Sequence, residues 1–138
     1  MYTEERLGLD EATRALDAIL AAVTSDDSPI ALAVVDEHGV LITCARADGA
    51  PQRMIRRAAA KAYTAASLGR DTVEFRDNEI KAKERTLNDW GDPMITSLQG
   101  GLTIRSKGRV VGGIAMSGNT TTRDEELAGI GLKAMGLS

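Results

Sequence analysis

The chain has 138 residues, a length that fits a single core, and we predict one domain over residues 1–138. Its net charge of −3 argues against nucleic acid as the main partner, and aromatic residues, at 3%, offer few faces for stacking a large flat cofactor. No apolar run approaches the ~18 residues of a membrane-spanning helix, and the acidic N-terminus lacks a signal-peptide pattern, so no membrane partner and a cytoplasmic location are expected.

The first part of the chain predicts a helix followed by a β-hairpin. Residues 9–24 place six apolar side chains on one helical stripe, namely Leu9, Ala12, Leu16, Ile19, Leu20 and Val23. Apolar runs at 30–36 and 40–46 flank a short glycine-containing loop and predict two strands, both buried on both faces or nearly so. Cys44, the single cysteine, lies in the second run and is predicted to be a small buried hydrophobe.

Residues 46–69, RADGAPQRMIRRAAAKAYTAASLG, predict a turn followed by an alanine-rich helix. The alanines share one face, and their small side chains allow the helix to lie close on the sheet. Lys61 lies at the edge of that face, about 115° from its centre by the 3.6-residue period. It can extend outward, or it can reach into a cleft between helix and sheet and bind an anion or act with a lowered pKa.

Asp48, in the turn before this helix, also has two interpretations. Its carboxylate can satisfy the turn and the first N–H groups of the helix, which is the interpretation that the sequence alone favours. It can instead join Arg46 and Lys61 in a polar cluster at the edge of the sheet. If the protein has a site, we expect Asp48 and Lys61 to be part of it.

The second part of the chain predicts short helices and another hairpin. Residues 72–90 are mostly polar and predict one or two short helices. Apolar segments at 102–106 and 109–117 flank a Lys-Gly turn and predict a second pair of strands. Gly112 and Gly113 lie inside the second of these strands and indicate a bulge or the close approach of another backbone or a ligand.

The last helix is predicted from about Arg123 to Met135. TRDE at 122–125 matches a capping box, with Thr122 as the N-cap residue and Glu125 three positions on. The acidic residues of this segment also allow weak binding of a hard cation. The whole order, α-β-β-α-(α)-β-β-α, predicts an α/β (α+β) domain with an antiparallel sheet and helices packed against it.

Short motifs are spread over the chain from about residue 8 to 135, and their order and spacing together are specific. They are AVVDEHG at 33–39, RADGA at 46–50, KAYTAA at 61–66, GGLTI at 100–104, VVGGIAMSG at 110–118 and DEE at 124–126. In these motifs the chain resembles the GlcG/HbpS family of haem-degrading or haem-binding-like proteins, which is related to the C-terminal domain of PduO-type proteins. The resemblance implies a profilin-like fold with an antiparallel sheet of about five strands flanked by helices.

The resemblance also implies a homo-oligomer, commonly of dimers assembled into larger rings or octamers, with ligand sites near subunit interfaces. We therefore expect a protein that binds a small anionic ligand, either carboxylate-bearing or haem-like. The candidate catalytic residues are Asp48 and Lys61. The matching motifs add four glycines and two hydroxyl residues as ligand-binding candidates. Arg46 is a further candidate because it can bind an anion, and Trp90 because it can form a wall of the pocket. The motif residues are Gly49, Thr64, Gly100, Gly101, Ser117 and Gly118.

Haem itself has little support in the residues, so the cofactor stays unassigned. The only histidine, His38, is expected at an exposed hairpin tip, and the methionines that could serve as ligands, Met54, Met94 and Met116, are expected in the core. The alternative function is a cofactor-independent catabolic enzyme, a hydrolase, deaminase or lyase acting on a small organic acid. In that enzyme Lys61 or Arg46 would bind the anion and Asp48 would act as acid or base.

Overall fold

The computed structural model describes all 138 residues, and its elements follow the order predicted from the sequence. The first elements are α1 at Leu9–Ala22, β1 at Ala31–Asp36, β2 at Leu41–Arg46 and α2 at Gln52–Leu68. A short α3 at Thr72–Phe75 continues into a π-helical turn at Arg76–Lys81, and a 3-10 helix follows at Leu87–Trp90. The last elements are β3 at Gly101–Ser106, β4 at Arg109–Ser117 and α4 at Thr121–Ala134. No helix combines the length and apolar character needed to cross a membrane.

The sheet has four antiparallel strands in the order β2-β1-β4-β3, one fewer than the expected number of about five. Helices α1 and α4 cover one face, where Leu32, Ile114 and Leu127 belong to the larger apolar core. Helix α2 covers the other face, where the core is built almost entirely from alanine. The mixed α/β class predicted from the order of elements is confirmed.

Strand β2 lies at an edge of the sheet, which corrects the prediction that both strands of the first hairpin are buried. β1 lies between β2 and β4 and is buried along nearly its whole length, whereas β2 has one neighbouring strand and no fully buried residue. Cys44 is consequently exposed rather than buried. The stripe on α1 is also shifted: Ala12, Ala15 and Ile19 are buried, while Leu9 and Leu20 are exposed.

Helix α2 lies close on the sheet, as its alanine face predicts. A Cβ atom added to Gly113 would collide with the backbone carbonyl of Ala62, and one added to Gly101 would collide with the carbonyl of Lys61. Gly113 of β4 therefore marks a close backbone approach, one of the two alternatives that the sequence left open. The helix ends at Gly69, whose φ of 64° is in the left-handed region.

Helix α4 begins earlier than the sequence predicts. Thr120 is its N-cap residue and accepts a hydrogen bond from the Arg123 backbone N–H at 3.2 Å, so the predicted capping box at Thr122 is wrong. The Arg123 side chain binds the Asp27 carboxylate with two hydrogen bonds, of 2.9 and 3.0 Å. The neighbouring Ser28 N–H donates to Asn119 Oδ1 at 2.8 Å. These contacts hold the α1–β1 loop against the β4–α4 loop.

The close approach of α2 to the sheet predicts that Gly113→Ala is destabilising. The added methyl group must push the backbone of α2 away from β4, an overpacking that costs about 1–3 kcal/mol in the free energy of unfolding. Gly129→Ala is the matched control, because its methyl group would lie 3.9 Å from its nearest neighbour, an ordinary contact distance. Chemical denaturation measures both, and equal stability of the two variants would contradict the close approach.

The Asp27–Arg123 contact predicts a pH-dependent loss of stability in Asp27→Asn. Hydrogen bonding to the Arg123 guanidinium lowers the pKa of Asp27 to about 2, below its ordinary value of 3.8. The stabilisation is therefore fully present above pH 3.8 and lost as the pH falls through about 2. Asp27→Asn should be less stable than the native protein at neutral pH, and the difference should shrink in acid. Asp26→Asn, at an exposed neighbour, should show no such pattern.

Candidate functional site

A buried ion pair joins the two helical layers at one end of the sheet. Lys61 of α2 and Asp124 of α4 are 2% and 1% exposed, and Lys61 Nζ lies 3.3 Å from Asp124 Oδ2. Lys61 Nζ also donates to the Met116 carbonyl at 2.9 Å. The β3–β4 ladder ends at the pair Gly101–Ala115, so Met116 lies one residue beyond it and its carbonyl is free to accept from the lysine. The ion pair thus occupies the notch where β4 extends past β3.

Burial brings the pKa values of the two members of the pair closer together. It lowers the pKa of Lys61 below its ordinary value, a shift that the Asp124 charge opposes and that the nearby Arg57 charge reinforces. It raises the pKa of Asp124, against the opposing effects of Lys61 and of the Asn119 N–H, which donates to Asp124 Oδ1 at 3.1 Å. The smaller difference between the two pKa values reduces the free-energy cost of moving a proton from Lys61 to Asp124.

Gly100 provides the space that the lysine head group needs. Its φ is 126°, and a Cβ atom there would lie 2.9 Å from Lys61 Nζ and 3.3 Å from the Asp124 Cβ. Gly101, the next residue, packs against the Lys61 backbone and donates its N–H to Thr72 Oγ1 at 3.0 Å. The two glycines at the start of β3 therefore accommodate both the head group and the backbone of Lys61.

A depression of about 260 Å³ lies beside the ion pair. Arg57 lines it, is exposed, and forms no ion pair in the structure. Asn119 contributes Nδ2, a buried donor that has no hydrogen-bond partner, while its Oδ1 is held by Ser28. Two cations and one carboxylate leave the depression with a net positive charge. Its lining residues are Met54, Arg57, Lys61, Leu98, Ser117, Gly118, Asn119, Thr121 and Asp124.

Several of the predicted site residues meet here. Lys61, Ser117 and Gly118 line the depression, and Gly100 packs against the lysine head group. Ser117 donates its hydroxyl to Met54 Sδ at 3.4 Å.

Thr64, another predicted site residue, is fully buried and lies one turn further along α2. Its hydroxyl donates to the Ala60 carbonyl at 2.8 Å and accepts from the Thr96 N–H at 3.0 Å. Thr64 therefore anchors the loop before β3 and does not line the depression.

The turn that contains Asp48 lies at the same end of the sheet, but Asp48 does not pair with Lys61. Arg46 and Ser117 both pair with Ala31, from opposite sides, which separates them by two strand spacings, or about 10 Å. Asp48 is exposed and has no hydrogen bond or ion pair to Lys61, whose carboxylate partner is Asp124.

The remaining residues of that turn make local contacts. Arg46 donates Nη1 to the Ala50 carbonyl at 2.7 Å, which closes the turn on itself. Gly49 approaches Pro29, since a Cβ atom added to this glycine would lie 3.5 Å from the Pro29 Cγ atom. Gly118 approaches the same proline from the β4–α4 loop. The two glycine turns of the motif set therefore flank one proline.

Trp90 and His38 lie away from the depression. Trp90 packs edge-to-face on Phe75, with ring centroids 4.8 Å apart, and lines a separate cavity of about 190 Å³ near Leu68. Leu68 is seven residues beyond Lys61 on α2, about 10 Å along the helix axis. His38 is 68% exposed in the hairpin turn at the opposite end of β1, as the sequence predicts.

Six lining residues of the depression are absent from the candidates that the sequence predicts, and three of them, Arg57, Asn119 and Asp124, carry a charge or an amide group. Asp124 has a detectable signal, because it shares the spacing of the buried positions Leu127, Ala128 and Gly131 of α4. A helix start at Arg123 makes the acidic run resemble ordinary capping and conceals this pattern. No group of three or more His, Cys, Asp or Glu side chains is arranged to hold a metal ion.

The comparisons with known proteins agree on one family. The sequence model of the family described as "Haem degrading protein HbpS-like" matches residues 7–133. A double mutant of HbpS from Streptomyces reticuli is 32% identical, with a TM-score of 0.86, over 96% of this chain and 89% of that one. No curated protein sequence matches significantly.

More distant solved structures share the fold. The PduOC–haem complex is 20% identical with a TM-score of 0.87, over 97% of this chain and 98% of that one. The protein ORFY of Klebsiella pneumoniae is 23% identical with a TM-score of 0.85, over 99% of this chain and 97% of that one. The match of the family over most of the chain, together with the likeness to HbpS, shows that the chain belongs to the HbpS-like family.

Proposed function

We propose that the protein binds a small carboxylate-bearing molecule in the depression beside Lys61. The observation that supports this most directly is Arg57, an exposed guanidinium that lines the depression and forms no ion pair. Lys61 adds a second positive charge to the lining and Asp124 one negative charge, so the depression attracts an anion. Arg57 on the same wall can bind a carboxylate with two parallel hydrogen bonds.

The size of the depression favours a small ligand. Its volume of about 260 Å³ is below the about 300–1,000 Å³ of sites for drug-sized molecules. Met54 and Leu98 are its only hydrophobic lining residues, so an organic acid with a short carbon chain matches both its volume and its polarity.

Haem, the ligand that the family description implies, does not fit the residues of this depression. The methionine on its wall, Met54, already accepts the Ser117 hydroxyl at its sulfur. Met116 is completely buried in the core on the other face of the sheet, and His38 lies at the far end of β1. Met94, which was expected in the core, is 43% exposed and does not line the depression. Met54 is therefore the only usual axial ligand among the lining residues, and the volume is small for a macrocycle.

As a second function we propose cofactor-independent acid–base chemistry on a small organic acid, with Asp124 in place of Asp48 as the acid or base. Asp48 is the acid or base that the sequence suggests, but it is exposed and separate from Lys61. Asp124 is the carboxylate within 3.3 Å of Lys61 Nζ, and that proximity favours it for the role.

We also propose that the protein is a homo-oligomer and that this depression lies near a subunit interface. β2 is an uncovered edge strand, and Leu98, at the depression, is 42% exposed. Light scattering on the full chain should give a multiple of the 14.6 kDa protomer mass. A protomer-sized species at every concentration would contradict the assembly without affecting the carboxylate site.

The carboxylate site predicts a specific loss of affinity in Arg57→Ala. Removing a charge-assisted hydrogen bond worth about 1.5–3 kcal/mol should weaken lactate binding by about 10- to 100-fold, measured by NMR titration of backbone amides. Arg53→Ala is the matched control, because Arg53 is an exposed arginine one turn earlier on α2 that does not line the depression.

Three results would contradict the proposed site. The first is no lactate-dependent shift of amide signals around the depression in the native protein. The second is an equal loss of affinity in Arg53→Ala and Arg57→Ala. The third is displacement of lactate by an equimolar amount of haemin, which would indicate that haem binds in this depression.

A further inference from the structure

We propose that Lys61 captures 2-oxo acids, a class of carboxylates with an adjacent carbonyl, by forming an imine at Nζ. The inference rests on the proposed carboxylate site and narrows its ligand class. Among the five lysines of the chain, Lys61 is the single buried one. The others are Lys81, Lys83, Lys107 and Lys133, and all are exposed.

Asp124 is placed to accept the proton that the Lys61 ammonium must lose before it reacts. An amine attacks a carbonyl only when it is neutral, so the ammonium must first lose a proton. The acceptor is Asp124 Oδ2, 3.3 Å from Nζ, on a residue that is 1% exposed. Burial brings the pKa values of the two groups together, which supports transfer within the pair rather than to solvent.

The neighbouring residues hold the amine in place and direct the ligand to it. A Cβ atom at Gly100 would lie 2.9 Å from Nζ, so a larger residue at this position would displace the amine from its place beside Asp124. The carboxylate of a 2-oxo acid is bonded directly to its carbonyl carbon. Binding that carboxylate at Arg57 therefore brings the carbonyl towards the wall formed by Lys61.

The step balances without an oxidant or reductant. Lys61 gives one proton to Asp124, and the amine nitrogen forms a bond to the carbonyl carbon. A second proton moves from nitrogen to the carbonyl oxygen, which gives a carbinolamine. The protonated Asp124 then returns its proton to that hydroxyl group, the C–O bond breaks and water leaves. The products are one water, an iminium cation on Lys61 and the Asp124 carboxylate, with the same total charge as at the start.

The test is reductive trapping on the full chain. Native protein is incubated with pyruvate and sodium cyanoborohydride, which reduces an imine to a stable amine, and the modified lysine is located by digestion and mass spectrometry. We expect a carboxyethyl group on Lys61 at about tenfold the level of any exposed lysine. Lactate, which has no carbonyl, should leave Lys61 unmodified.

Variants examine the roles of the two residues. Lys61→Arg should abolish the adduct, whereas Lys133→Arg, at an exposed lysine, should leave it unchanged. Asp124→Asn should reduce the rate of trapping at Lys61, and an undiminished rate would overturn the role of Asp124. Because the modified position is mapped on the native protein, the main result does not depend on the folding of any variant.

Failure of this inference and failure of the carboxylate site are distinguishable. If lactate binds at the depression but pyruvate is trapped nowhere, or equally on all lysines, imine formation is wrong and the carboxylate site stands. If neither acid shifts the amide signals of the depression and no adduct forms, both proposals are wrong.

Discussion

The ion pair between Lys61 and Asp124 is the interaction on which the architecture of this end of the protein depends. Its members belong to helices on opposite faces of the sheet and meet where β4 extends past β3. Removing one partner of a buried ion pair typically costs about 3–5 kcal/mol, because the other charge is left uncompensated. A buried ion pair also needs hydrogen bonds to its remaining polar atoms. The Met116 carbonyl accepts one from Lys61, and the Asn119 N–H donates one to Asp124.

The alanine face of α2 makes this pairing possible. Small side chains and strand glycines bring the helix backbone into contact with β3 and β4, so the Lys61 side chain can reach around the sheet to α4. A helix with larger side chains would stand further from the sheet and leave the ammonium short of Asp124. The small side chains that give this face a modest apolar core thus also place a cation in the lining of the depression.

Local patterns in the sequence predicted the helices, both hairpins and the close approach at Gly113, because each depends on residues near one another in the chain. They did not predict the exposure of Cys44, since the position of β2 at the sheet edge follows from strand order rather than from its apolar composition. They also associated Lys61 with Asp48, which is near in sequence. The observed partner, Asp124, is 63 residues away and on the opposite layer.

The central claim is that a small carboxylate binds directly beside the Lys61 ammonium. It is tested most directly by the pKa of Lys61, measured by NMR on protein with isotope-labelled lysine side chains, with and without saturating lactate. An added anion favours the charged amine, so lactate should raise the pKa of Lys61 and leave the signals of the four exposed lysines unchanged. A Lys61 pKa that does not change with lactate, while the pKa of an exposed lysine does, would contradict lactate binding beside Lys61.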